Sequence, residues 1–236
     1  MQRSDRDGLE DDAVAFLALL QKRSGVPVSS LGITGSVLIG MHNTRSDVDV
    51  AVFGEKNCRR VHRVLERLLD DGSEKDLIRL DARRLKELYA QRVVDTKMDF
   101  RHFENLERGK TNQGCFRGRA WFIRFIKEPA QVKERYGCCR YKKLGRIKIR
   151  ALIVDDTDAI FTPCRYGLSG SETVAAQWKP EPGEIVSFRG RFCEQAWNGD
   201  RVTATGILEQ VLGSRGDVRH RLLLGNSPED TMIVLK

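Results

Sequence analysis

Two aspartates inside an apolar run constrain this chain more than any other feature of its sequence. The stretch DVDVAVF, residues 47 to 53, predicts a strand. Acidic and apolar residues alternate in its first half, and its last four residues are all apolar. Successive strand side chains point to opposite faces, so Asp47 and Asp49 share one face while Val48 and Val50 point into the core. Two carboxylates this close repel each other unless they share a divalent cation. The stretch therefore predicts a metal site suited to Mg²⁺, which combines carboxylates with water and phosphate oxygens.

A glycine and a serine before this strand add a second part of the predicted site. The run SLGI predicts a short strand that ends at Gly35 and Ser36. A turn of this kind, between a strand and a following helical turn, leaves backbone N–H groups free for an anion. Ten residues separate the pair from the two aspartates, enough for a helical turn and a return loop that contains Arg45 and Ser46. We therefore expect a phosphate-binding corner that faces a metal-binding strand.

The order GS, ten residues, DVDV resembles the signature of the DNA polymerase beta-like nucleotidyltransferase superfamily, most clearly over residues 25 to 72. The resemblance implies a minimal nucleotidyltransferase fold that transfers a nucleoside monophosphate from a nucleoside triphosphate to an acceptor. It implies that one or two Mg²⁺ ions, or Mn²⁺, stabilise the attacking and leaving oxygens. It also implies two groups of site residues, catalytic metal ligands and nucleotide-binding residues. The metal ligands are Asp47 and Asp49, and the nucleotide-binding residues are Gly35, Ser36, Arg45 and Ser46.

The sequence departs from this superfamily in one respect. The resemblance implies a third carboxylate on a later strand, but the strand expected to carry it, RAWFIRFIK, contains no acid. Asp99 is better explained as a helix cap, which leaves Asp155 and Asp156 at the end of the next strand as substitutes. A second function therefore stays open, a nucleic-acid-binding protein on a catalytically degenerate fold. Transfer to a protein or a small molecule is a third.

Basic residues are concentrated in one segment of the chain. Between Arg117 and Arg150, twelve lysines and arginines stand against two acids, a net charge of +10 where the whole chain has +8. Such an excess indicates a polyanionic partner, either RNA or DNA or the phosphates of a nucleotide. A solvated basic face is the alternative.

Hydrophobic patterns predict an α+β chain in two parts. Amphipathic helical stretches accompany the strands over residues 1–176, which predicts a nucleotidyltransferase-like domain with a short mixed sheet and packed helices. After the linker-like WKPEPG, short alternating strands separated by turns predict a small all-β barrel, OB-like or SH3-like, over residues 177–236.

Cysteine usage and hydropathy indicate the cellular compartment in which the protein is expected to work. The six cysteines form no C-x-x-C pair, and Cys138 and Cys139 have no nearby histidine, so we expect reduced thiols. No run approaches the roughly 18 apolar residues that a membrane span requires. The start MQRSDRDGLEDD lacks the apolar centre of a secretion signal. We therefore expect a cytoplasmic protein that does not contact a membrane.

Overall fold

The structure is a computed structural model that describes residues 6–95, 97–132, 134, 136–174 and 180–235. The chain divides into two compact units, and each is built from two separate segments. The first unit comprises Met1–Ala82 and Lys110–Gln131, and the second comprises Arg83–Gly109 and Val132–Lys236.

A five-stranded sheet with three helices forms the first unit. Its strands are β1 (Leu31–Ile33), β2 (Val48–Phe53), β3 (Leu77–Ile78), β4 (Gln113–Phe116) and β5 (Arg119–Ile126). Its helices are α1 (Gly8–Ser24), α2 (Gly35–Leu38) and α3 (Glu55–Asp71). The strand order is β1-β2-β5-β4-β3, in which β2 and β5 are parallel and the other pairs are antiparallel. The chain therefore leaves β2 and returns beside it much later, as β5.

Local sequence explains where the helices begin and which face they bury. The Asp7 side chain accepts hydrogen bonds from two backbone N–H groups of the first turn of α1, and Gly25 ends this helix in a left-handed conformation. In α3, apolar residues at helical spacing are buried, among them Val61, Leu65 and Leu68. Strand β2 is buried at four of its six positions, and Asp49 is half-buried within it. The helices thus cover a sheet in which an inner strand, β2, carries a carboxylate.

The second unit is a β-barrel with two helices. Its helices are α4 (Ala82–Arg92), whose first residue falls at the unit boundary, and α5 (Phe100–Glu107). Its strands are β6 (Cys139–Asp155), β7 (Cys164–Thr173), β8 (Glu184–Ser187), β9 (Arg201–Gly213), β10 (Val218–Leu224) and β11 (Thr231–Leu235). The order is β10-β8-β7-β6-β9-β11, and β10 also pairs with β9, which closes five strands into a barrel. Strands β8 and β10 are parallel and all other pairs are antiparallel.

This topology confirms the predicted all-β module and favours one of its two alternatives. A closed five-stranded barrel in which the third and fifth strands run parallel is the arrangement of an OB fold. The barrel core contains Tyr166, whose hydroxyl donates to the backbone carbonyl of Phe192 at 2.6 Å. The pattern EIVSFRGRFC is strand up to Ser187 and then a short 3-10 helix, Gly190–Phe192, that buries the Phe192 ring. Alternation of Val186, Phe188, Gly190 and Phe192 with polar residues predicts a continuous strand here, and this prediction is wrong after Ser187.

The two units divide the chain differently from the expected boundary at residues 176 and 177. Strands β6 and β7 precede that boundary, yet they pair with β9 and β8 in the barrel. Strand β6 is 17 residues long and pairs with β9 along most of its length. Its alternation buries Ile147, Ile149 and Ile153 in the barrel core, and this core is completed only by residues from the last third of the chain.

Two further features concern the helices and the cysteines. Asp99 caps α5 by accepting a hydrogen bond from the His102 backbone N–H at 3.0 Å, as predicted. Thr96, which with Asp99 gives the sequence a near match to a capping box, lies outside the described residues. The six cysteines are all free thiols, and the sulfur atoms of Cys138 and Cys139 are 3.6 Å apart.

Among the helices of the described ranges, none has the length and apolar character needed to cross a membrane.

Candidate active site

Gly35 and Asp49 lie directly against each other in the first unit. A Cβ atom on Gly35 would stand 3.0 Å from the Asp49 Cγ and would overlap the Oδ2 atom. Gly35 also has a φ of +64°, a left-handed conformation that favours glycine. The Thr34 backbone N–H donates to the Asp49 carbonyl at 2.9 Å and ties the turn to β2. Both the space and the backbone conformation at position 35 therefore require glycine.

Asp49 meets this turn from β2, and Asp47 lies directly before the strand. Asp47 is exposed and precedes the strand, whereas Asp49 is half-buried between the buried Val48 and Val50. Burial first, and the Asp47 carboxylate second, raise the pKa of Asp49 above its ordinary value of 3.8. The pair is thus destabilised as two bare anions, which is the condition that a bound cation relieves.

The loop between α2 and β2 holds itself together through local hydrogen bonds. The Asn43 backbone N–H donates to the Ser46 hydroxyl at 3.0 Å, and the Arg45 N–H donates to the Asn43 side chain at 2.9 Å. The structure therefore uses the Ser46 hydroxyl inside the loop and leaves the Arg45 side chain exposed. Ser36 lies in the first turn of α2, half-buried, and its carbonyl accepts from the Met41 N–H at 3.0 Å.

Arg119, the first residue of β5, clamps this loop. Its guanidinium donates to the carbonyls of Thr44 at 3.1 Å and Ser46 at 3.3 Å. The Nε atom also donates to Asp12 on α1 at 3.2 Å, and both side chains are only about a fifth exposed. Sequence reasoning counted Arg119 with the basic segment and missed this role, because its partners lie 73 to 107 residues away. The clamp holds the backbone immediately before Asp47.

Arg124 lies on the strand beside the aspartates. In the parallel pairing of β2 with β5, Phe122 stands opposite Asp49 and Arg124 opposite Ala51. The Arg124 guanidinium carbon lies over the Phe122 ring, 5.6 Å from its centroid, so the side chain leans back toward the Asp49 position. Its positive charge lowers the pKa of Asp49 against the effects of burial and Asp47.

The third carboxylate has no counterpart in this arrangement. Strand β5 contains no acid, and the part of the chain that the structure describes has no group of three histidine, cysteine or acidic residues that could hold a metal. Asp155 and Asp156 belong to the second unit, where they cap turns. Asp155 accepts from the Thr157 N–H and Asp156 from the Asn198 N–H, each at 2.9 Å.

The residues at this site fit one divalent cation. Asp47 and Asp49 supply hard oxygen ligands with mutual repulsion, and the missing Cβ of Gly35 makes room for the Asp49 carboxylate against the turn. Mg²⁺ and Mn²⁺ accept such a partial protein ligand set and complete it with water and phosphate oxygens. The arrangement can therefore hold a cation and a phosphate chain on one side of β2.

The basic segment 117–150 splits between the two units. In the first unit its members pair locally, for example Arg117 with Asp76 at 3.6 Å. On β6, Lys148 and Arg150 point outward and are exposed, and no ion pair involves them within the described ranges. Arg146, two residues before Lys148, pairs with the fully buried Asp230 at 2.6 Å. The outward face of β6 is therefore one exposed basic part of the segment, and Arg124 on β5 is exposed in the first unit.

Comparison with known proteins identifies the family. A family model for the nucleotidyltransferase domain matches residues 15–133, which include the whole site and about half of the chain. The uncharacterized protein MJ1086 of Methanocaldococcus jannaschii is 29% identical over 215 residues, which cover 90% of this chain and 60% of that protein. The chain thus spans less than two thirds of this relative's length, and no solved structure matches it. This chain belongs to the nucleotidyltransferase domain family, within the polymerase beta-like superfamily.

Proposed function

We propose that this protein is a Mg²⁺-dependent nucleotidyltransferase that moves a nucleoside monophosphate from a nucleoside triphosphate to a nucleic acid or another polar acceptor. The contact between Gly35 and Asp49 carries the proposal, since it packs the Gly-Ser turn, which would bind phosphate, against one of the two carboxylates that would bind the cation. Mn²⁺ is the alternative ion. The free cysteines fit the predicted cytoplasmic location, which stays a prediction.

In the proposed reaction the acceptor hydroxyl oxygen attacks the α-phosphorus of the triphosphate. The new oxygen–phosphorus bond forms as the bond to pyrophosphate breaks, and the hydroxyl proton passes to solvent. When bound, a divalent cation would neutralise the negative charge that develops on the phosphate oxygens. Asp47 and Asp49 bind the cation, while Gly35 and Ser36 orient the triphosphate through backbone N–H groups.

The loop after α2 completes the proposed nucleotide contacts. Arg45 is exposed and free to reach the triphosphate, and Ser46 shapes the loop through its bond with Asn43. Arg119 holds the same loop through two carbonyl contacts. Because catalysis of this kind depends mostly on positioning, a fixed loop is as important as the ligands themselves.

The test is transfer of label from nucleoside triphosphates to pooled RNA in the presence of Mg²⁺ or Mn²⁺. The variants Asp47→Asn and Asp49→Asn keep the side-chain shape but remove the charge, so each is expected to abolish transfer. Asp11→Asn, on the exposed surface of α1, is the matched control and should transfer at the wild-type rate. Transfer that survives in both site variants would refute the proposal.

A nucleic-acid-binding protein on a degenerate fold is the second candidate. It is favoured by Arg124, which stands on β5 where an acid was expected, and by the exposed Lys148 and Arg150 on the barrel. This candidate predicts salt-sensitive RNA binding that is untouched by Asp47→Asn and Asp49→Asn, without label transfer. Transfer without any need for RNA would instead indicate a protein or small-molecule acceptor.

A further inference from the structure

Arg124 introduces a fixed positive charge beside the two aspartates. Parallel pairing puts Phe122 opposite Asp49, and the guanidinium packs over the Phe122 ring with its carbon 5.6 Å from the centroid. An arginine that stacks on a ring in this way keeps its five N–H donors available at the ring edge. The donors therefore lie on the same sheet face as the Asp49 carboxylate.

The charges at this face are enough for one divalent cation. The protein supplies two carboxylates and one guanidinium, a net charge of −1, so the second ion of a pair held about 3.5–4 Å apart would depend on the triphosphate for its neutralisation. A second cation would also need oxygen ligands of its own, and the described residues offer no third acid close to the pair. It would stand beside the Arg124 charge, and this repulsion further disfavours it.

We propose that this site holds one divalent cation together with the nucleotide, and that Arg124 replaces a second cation by binding the oxygens of the α-phosphoryl group. A guanidinium is planar and always charged, and it donates two parallel hydrogen bonds to a phosphoryl group. Arg124 then neutralises the charge that develops at the transferred phosphorus, while Asp47 and Asp49 bind the cation. The inference rests on the proposed function, because it assumes a triphosphate in this site.

Counting bound Mn²⁺ tests the inference without reference to activity. Electron paramagnetic resonance counts the ions bound per chain in the presence of a nucleoside triphosphate analogue that is not cleaved at the α-phosphorus. The wild type is expected to bind one Mn²⁺. Arg124→Asp supplies a third carboxylate in place of the positive charge and is expected to bind two. Arg215→Asp makes the same charge change in the exposed turn between β9 and β10 and should still bind one.

Nucleotide affinity gives the second measurement. Arg124→Gln should still bind one Mn²⁺, but the dissociation constant of the analogue should rise about tenfold or more, because charge-assisted hydrogen bonds are lost. This variant keeps the inference testable if Arg124→Asp does not fold.

Two results would overturn the inference: two Mn²⁺ ions in the wild type, or unchanged analogue affinity in Arg124→Gln. A wild type that binds one Mn²⁺ and the analogue but transfers no label would refute the proposed function, whereas the binding of a single cation with Arg124 on the α-phosphoryl oxygens would still stand.

Discussion

At the scale of single residues, the site depends on a glycine that no other residue can replace. Gly35 combines a left-handed backbone with contact to the Asp49 carboxylate. Gly40, a few residues further on, has a similar φ of +68°, but nothing lies within 4 Å of the position of its Cβ. Substitution of Gly40 therefore tests the backbone conformation alone, whereas substitution of Gly35 also tests the overlap with the Asp49 carboxylate.

We expect Gly35→Ala to abolish transfer and to weaken Mn²⁺ binding, because the new methyl group displaces the Asp49 carboxylate. Gly40→Ala should have the same backbone cost, about 1–2 kcal/mol in the free energy of unfolding, without loss of activity. Urea unfolding and label transfer measure the two effects. Equal activity in the two variants would show that the overlap at position 35 has no functional consequence.

The ionisation of Asp49 should appear in the pH dependence of stability. Burial and Asp47 raise its pKa, so the folded protein binds this proton more tightly than the unfolded chain. Without metal, the free energy of unfolding should therefore fall as the pH rises from 3.8 through the raised pKa, and stay lower above it. Asp49→Asn should remove this fall and be more stable than the wild type near neutral pH.

Urea unfolding in EDTA across this pH range measures the effect, and Asp11→Asn on the exposed surface of α1 is the control. Addition of Mg²⁺ with a nucleotide analogue should stabilise the wild type and leave Asp49→Asn unchanged. Parallel pH curves for the wild type and Asp49→Asn would contradict the assignment.

At the scale of elements, the position of the loop before β2 depends on a strand and a helix that are distant in sequence. Arg119 at the start of β5 donates to two loop carbonyls and to Asp12 on α1. The hydrophobic patterns predicted β2, β5 and amphipathic helices around them, because these patterns are local. They contained no signal for the clamp, whose parts meet only when the elements pack.

We expect Arg119→Gln to raise the dissociation constant of Mn²⁺ about tenfold, because the backbone before Asp47 loses its support. Arg119→Lys keeps the charge but not the planar set of donors, so it should restore the affinity only in part. Arg117→Gln is the matched control, since Arg117 approaches Asp12 at 4.0 Å and Asp76 but no loop carbonyl. If all three variants bind Mn²⁺ as tightly as the wild type, Arg119 forms an ordinary ion pair with Asp12 and does not support the loop.

At the scale of the whole molecule, the basic segment 117–150 is divided between two different environments. Its first residues pair within the nucleotidyltransferase unit, and Lys148 and Arg150 face outward from the barrel. Alternation along β6 explains this, because Ile147 and Ile149 point into the barrel core and put their neighbours on the outer face. A count of charges along the sequence could not distinguish the paired basic residues from the outward-facing ones.

Nucleic-acid binding through this outer face predicts a defined change in salt dependence. Lys148→Gln combined with Arg150→Gln should lower the slope of log affinity against log salt by about 1.4 for single-stranded RNA. The double variant Lys56→Gln with Lys75→Gln removes two exposed charges from the first unit and should leave the slope unchanged. Filter binding over a series of salt concentrations measures both, and an unchanged slope in the first variant would exclude this face.

The sequence by itself determined the features that depend on neighbouring residues. The local pattern marked the strand that carries Asp49 with Asp47 directly before it, the Gly-Ser pair ten residues upstream, and the start of α5 at Asp99. Only the tertiary structure decided that β5 lies beside β2 with Arg124 next to the aspartates, and that β6 belongs to the barrel. The physical reason is that strand pairing joins segments far apart in sequence, and their partner and register are chosen by burial of the whole core.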